Sequence, residues 1–246
     1  MSGTYDDIAP LRRGDDMIFD PDAELSVDNR QQAGEKQVPI TVTEPEGHAR
    51  GGIVVLHESR EFTGSLLELM TALATEGWTV VAPNLFHRAD GEPAAEVFGD
   101  ELFEDFDACF DWLTRRGVFP DCIGVLGFDH AGTAAFLVAT NRPIGAAVSV
   151  AAPGIVESLT DRADALLNAA PNLQAPWLGL YGCDDPATPP VDVDKLRDAA
   201  ARAAVASLVI SYPGLQHRAD RPGLDDDRDF IDSQARIFDW FDSNLR

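Results

Sequence analysis

The stretch IGVLGFDHAGT, residues 123–133, runs from apolar residues through Gly127 to a single carboxylate, Asp129, and then through small residues into another apolar segment. A short continuous apolar run bounded by glycine reads as a strand covered on both faces. One side chain held between glycines, where such a strand meets a helix, is the pattern of a nucleophile elbow. The tight turn lifts that side chain above the end of the sheet. Gly127 and Gly132 flank Asp129, the second glycine one place later than in the commonest five-residue form. The carboxylate stands at the start of a helix expected over residues 131–140, where the helix dipole favours an anion. The plainer reading is that Asp129 only caps this helix.

Two later segments favour the elbow. A strand expected over 177–181 leads into Gly182-Cys183-Asp184-Asp185-Pro186, and one over 206–212 leads into Pro213-Gly214-Leu215-Gln216-His217. An elbow nucleophile is followed along the chain by an acid and then a histidine. Asp129, Asp185 and His217 have that order, each just past a strand. On residue type alone Asp184 serves as well as Asp185, and His217 also reads as a surface-loop histidine.

Further strands are expected over 37–43, 52–56, 78–82 and 144–151, and helices over 64–77, 98–116, 191–204 and 226–245. Residues 154–173 read as a helix with an exposed connection. Short apolar strands alternating with helices give an α/β fold with a mostly parallel sheet, helices on both faces and no large cap domain. Residues 1–35, polar and rich in Asp, read as an irregular N-terminal arm, and 36–246 as a single domain.

The chain has 246 residues and a formal charge of −23, which argues against nucleic acid or an anionic membrane as partner. No run reaches the about 18 apolar residues of a membrane span, and the first residues lack a signal-peptide core, so a cytoplasmic location is expected. Cys109, Cys122 and Cys183 are odd in number and lack metal-ligand spacing. No metal and no cofactor is expected.

Taken together, VVLHESR (54–60), GWTVVAPNLFHR (77–88), the elbow, GCDDPATP (182–189) and YPGLQH (212–217) resemble the dienelactone hydrolase family of the α/β-hydrolase superfamily, over roughly residues 37–245. The resemblance implies the α/β-hydrolase fold and a hydrolase with a catalytic triad completed by Asp185 and His217. It places Glu58 against the resting nucleophile and the backbone N–H groups of Ser59 and His130 in the oxyanion hole. It gives Arg88 and Arg221 to a substrate carboxylate. Arg60, on residue type and position alone, reads as either a third anion contact or a surface partner of Glu61. The implied partner is a small anionic substrate, and the protein a monomer or homodimer.

The family pattern has cysteine where this chain has Asp129. A carboxylate attacking an ester carbonyl gives a mixed anhydride whose adduct tends to collapse backwards. At saturated carbon it displaces halide or opens an epoxide, leaving an ester that histidine-activated water hydrolyses. Three readings follow. Asp129 is a nucleophile towards a halo acid or epoxide, or a general base for water attacking an ester or lactone, or the chain is a non-catalytic member binding a small anion through Arg88 and Arg221. Trp78 and Trp177, the tryptophans considered as halide donors, lie inside expected strands and read as core. His57 reads as a hydrogen-bond partner of loop backbone.

Overall fold

The computed structural model describes residues 3–11, 37–57, 64–84, 100–161, 163–214 and 228–245. Among these residues eight strands form one sheet: β1 (Gly3–Pro10), β2 (Gln37–Glu44), β3 (Gly51–Leu56), β4 (Trp78–Pro83), β5 (Ile123–Phe128), β6 (Ala146–Val150), β7 (Trp177–Gly182) and β8 (Ser207–Tyr212). Their order is β1-β2-β4-β3-β5-β6-β7-β8. The pairs β1–β2 and β2–β4 are antiparallel, and every other neighbour is parallel. The uninterrupted apolar runs at β3, β4 and β6 are buried along their whole length, as a sheet covered on both faces requires. The edge strand β8 is only partly covered.

Among the described residues six helices accompany the sheet: α1 (Gly64–Thr75), α2 (Asp100–Arg115), α3 (His130–Asn141), α4 (Leu166–Ala169), α5 (Pro190–Ala200) and α6 (Arg228–Asn244). One core gathers Phe106, Trp112, Phe136, Trp177, Tyr181 and Leu196 with helices α2, α3 and α5. The other gathers Met70, Leu73, Trp78, Ile237 and Phe241 with α1 and α6. Trp78 meets Phe241 edge-on at 6.2 Å between centroids, which joins β4 to α6. Arg142 of the α3 C-cap grips Asp107 of α2 with two hydrogen bonds of 2.7 and 2.8 Å.

The expectation of an irregular arm over residues 1–35 fails at its start. Residues 3–10 are β1, paired with β2 in register from Gly3↔Glu44 to Pro10↔Gln37. The acidic residues that suggest a solvated arm are the pins of the strand. Asp7 accepts hydrogen bonds from the Ile8 amide (2.8 Å), Trp112 Nε1 (3.0 Å) and Arg116 Nη2 (3.1 Å). Thr41 Oγ1 donates to Asp6 at 2.8 Å. Charge-assisted bonds of this kind offset the cost of drawing a carboxylate partly out of water. Residues 12–36 lie outside the described residues.

No helix among the described residues is long and apolar enough to cross a membrane.

Candidate active site

The C-terminal ends of the parallel strands share one edge of the sheet, the place where open α/β sheets carry their sites. At the end of β5 the chain turns into α3 within one residue, Asp129. Its backbone has φ 52° and ψ −127°, a conformation that costs a non-glycine residue about 1–3 kcal/mol. The only other non-glycine residue with positive φ among those described is Ala151, φ 53°, at the end of the neighbouring strand β6.

Close packing makes this turn possible. A Cβ on Gly127 would lie 2.0 Å from the Ala131 carbonyl oxygen, so only glycine lets α3 start so near β5. A Cβ on Gly132 would meet Val150 O at 3.0 Å and Gly127 O at 3.1 Å. Asp129 donates its amide to Val150 O at 2.9 Å, and its carbonyl accepts from the amides of Gly132 (2.9 Å) and Thr133 (3.1 Å). In a trans peptide the N–H points opposite to the C=O. The Asp129 carbonyl points into the helix, so the His130 amide points out of its amino end.

Although Asp129 occupies the N-cap position, its side chain makes no capping hydrogen bond. An N-cap residue has extended dihedrals and caps with its side-chain oxygen; Asp129 does neither. The plainer reading of this residue as a helix cap therefore fails. The side chain is half-buried, and that of His130 is exposed.

At the end of β7, Asp185 is half-buried and held by its own turn. Its Oδ1 accepts from the Ala187 amide at 2.9 Å and its Oδ2 from Thr188 Oγ1 at 2.8 Å. These two bonds fix the carboxylate at the end of β7. Asp184 is exposed, with Oδ2 against Gly214 past the end of β8. At the end of β3, His57 is buried and its Nε2–H donates to Pro83 O at 3.0 Å, the backbone bond expected of it. His217, Glu58, Ser59, Arg60, Arg88 and Arg221 lie outside the described residues.

Both Trp78 and Trp177 are core residues. Trp177 is fully buried and its Nε1–H donates to Ser149 Oγ at 3.1 Å. Trp78 is packed between β4 and α6. The three cysteines are free; burial holds the Cys109 thiol well above its usual pKa. Among the described residues no group of three His, Cys, Asp or Glu side chains could hold a metal ion.

The eight-stranded sheet, in this order and with a strained elbow after β5, is that of a hydrolase of the α/β-hydrolase type. Residues 38–245 match the dienelactone hydrolase family, and the chain belongs to that family. Among its relatives, a Salmonella typhimurium protein named "Putative carboxymethylenebutenolidase" is 27% identical over 206 residues, which cover 77% of this chain and 76% of the relative. A protein of the same name from Escherichia coli K12 is 26% identical over 205 residues, covering 77% and 75%. The fold is also that of a crystal structure named dienelactone hydrolase from Anabaena variabilis, with a TM-score of 0.63, 18% identity and coverage of 87% and 95%. A Klebsiella pneumoniae structure named "Putative Dienelactone Hydrolase" superposes with a TM-score of 0.78 at 21% identity, covering 98% of this chain and 99% of that one.

Proposed function

We propose that Asp129 attacks a saturated carbon of a small carboxylate-bearing substrate, a halo acid or an epoxy acid, and that the resulting ester is hydrolysed by water activated by His217. The observation that carries this reading is the Asp129 backbone, φ 52° and ψ −127°, with the side chain released from capping. A nucleophile must be aimed at one atom, and a fixed strained turn aims it. A residue that only caps a helix or borders an anion-binding pocket needs no such strain.

In the first step a bond forms between an Asp129 carboxylate oxygen and carbon. The carbon–halogen or epoxide carbon–oxygen bond breaks, and the departing atom takes the electron pair. An epoxide oxygen then gains a proton, from Glu58 or water. In the second step water gives a proton to His217 and attacks Cγ of the ester. The amides of Ser59 and His130 hold the oxyanion. The alkoxide leaves with the proton from His217, and Asp129 keeps one oxygen from water. Asp185 orients His217, a role its tethered turn suits. Arg88 and Arg221, with Arg60 beside them, take the substrate carboxylate.

The relatives' name, carboxymethylenebutenolidase, favours a second reading, in which Asp129 is the general base for water attacking a lactone or ester. No bond to Asp129 then forms. A non-catalytic chain binding an anion through Arg88 and Arg221 is the third reading, and the strain stored at Asp129 speaks against it.

The test is His217→Ala incubated with chloroacetate or glycidate. A stable mass increase mapped to the peptide holding Asp129, and absent in His217→Ala/Asp129→Asn, is the expected result. An unmodified Asp129 peptide contradicts the covalent reading.

A further inference from the structure

The first turn of α3 is held to β6 by a buried hydrogen-bond relay that packing alone does not require. Trp177 Nε1–H donates to Ser149 Oγ at 3.1 Å, and Ser149 Oγ donates in turn to Gly132 O at 2.8 Å. Ser149 and Trp177 are both 0% exposed. The relay begins on β7, crosses β6 and ends on the helix that starts at the elbow. Ser149 lies opposite Gly179 in the β6–β7 register. A Cβ on Gly179 would stand 2.6 Å from the Trp177 ring, so the glycine leaves the indole room to lie towards Ser149. Phe136 of α3 meets the same indole edge-on at 4.8 Å.

A second brace runs beside it. Thr133, 2% exposed, donates Oγ1–H to Pro153 O at 2.7 Å, just past the turn that Ala151 makes at the end of β6. The first turn of α3 is thus fixed through the carbonyl of Gly132 and the hydroxyl of Thr133, while the His130 amide points out of the helix end. An indole N–H donating to a hydroxyl strengthens the bond that the hydroxyl donates onward.

We infer that Ser149 is a positioning residue for the elbow: through Gly132 it sets the direction of the His130 amide and of the Asp129 carboxylate. It touches no substrate. The inference rests on the reading above that the elbow is the reacting centre. Preorganised donors act only if they are already aimed where charge develops. A first turn released from β6 would leave binding intact and weaken the transition state.

The test compares Ser149→Ala with Val148→Ala. Val148 is the preceding residue of the same strand and faces the opposite core. Both variants lose thermal stability. Ser149→Ala is expected to lower kcat about tenfold, the equivalent of one lost hydrogen bond, with KM changed less than about twofold. Val148→Ala is expected to keep kcat. Equal losses of kcat in the two variants, or an unchanged kcat in Ser149→Ala, would overturn the inference. Amide hydrogen exchange across residues 129–133 gives a readout independent of any substrate. Ser149→Ala should speed it about tenfold relative to Val148→Ala. That result with no turnover in the wild type would condemn the proposed reaction and not the relay. Unchanged exchange overturns the relay whatever the activity.

Discussion

Asp129 donates its backbone amide to the carbonyl of Val150 at 2.9 Å, and this bond ties the strained residue after β5 to the end of β6, where Ala151 is the other non-glycine residue with positive φ among those described. The same peptide unit then passes its N–H, from Ala151, to Leu180 O of β7 at 2.7 Å. Three neighbouring strands are thereby locked together at the edge that carries Asp129 and Asp185, and the strain at the elbow cannot relax locally.

That strain is removable. Asp129→Gly should raise unfolding stability by about 1 kcal/mol, the relief of an unfavourable φ less the entropy glycine adds to the unfolded chain. It should also abolish turnover. Urea unfolding checks the first effect; an unchanged or lower stability would mean that the turn stores no strain.

Gly127→Ala should be the opposite case. A methyl group 2.0 Å from the Ala131 carbonyl forces α3 away from β5. Overpacking against backbone should cost about 3 kcal/mol or more, or prevent folding. Circular dichroism and thermal melting of the variant check this, and a melting temperature near that of the wild type would contradict the packing described.

Tyr5 and Tyr212 contribute to the pH dependence at the alkaline end. The Tyr5 hydroxyl donates to Glu44 at 2.7 Å, and burial followed by that bond pushes its pKa up to about 12. Burial, and then the bond it donates to Asp232 of α6, also raises the pKa of Tyr212. The folded state holds these protons more tightly than the unfolded chain, whose tyrosines titrate near pH 10. Their contribution is intact below about pH 10 and lost as pH rises towards about 12. Stability should fall across that window, and less steeply in Tyr5→Phe and Tyr212→Phe. At the acid end Asp7 behaves inversely. The Ile8 amide, then Trp112 and Arg116, hold its pKa down, so its contribution is lost as pH falls below about 3.9.

The parallel strands were legible because burial on both faces leaves a readable trace, as in GIVVL and WTVVA. The elbow was legible because a turn this tight demands glycine at Gly127 and Gly132. The strand β1 was not, because Asp6 and Asp7 break an apolar pattern and their partners, Thr41, Trp112 and Arg116, are distant in sequence. The brace at Ser149 was hidden for a similar reason. Inside a strand, a serine and a tryptophan 28 residues apart carry no local signal that they meet. Around residues 127–132 alone both helix cap and elbow residue fit the same letters; the segments after residues 181 and 212 favour the elbow, and the backbone angles agree with it.

The central claim is that Asp129 becomes covalently attached to the substrate, and a single turnover in oxygen-18 water tests it most directly. With enzyme in excess over chloroacetate or glycidate, the account predicts one heavy oxygen in the Asp129 carboxylate, read as a 2 Da shift of its peptide, because the hydrolytic water attacks Cγ. Turnover that labels only the product, leaving Asp129 unlabelled, would contradict it.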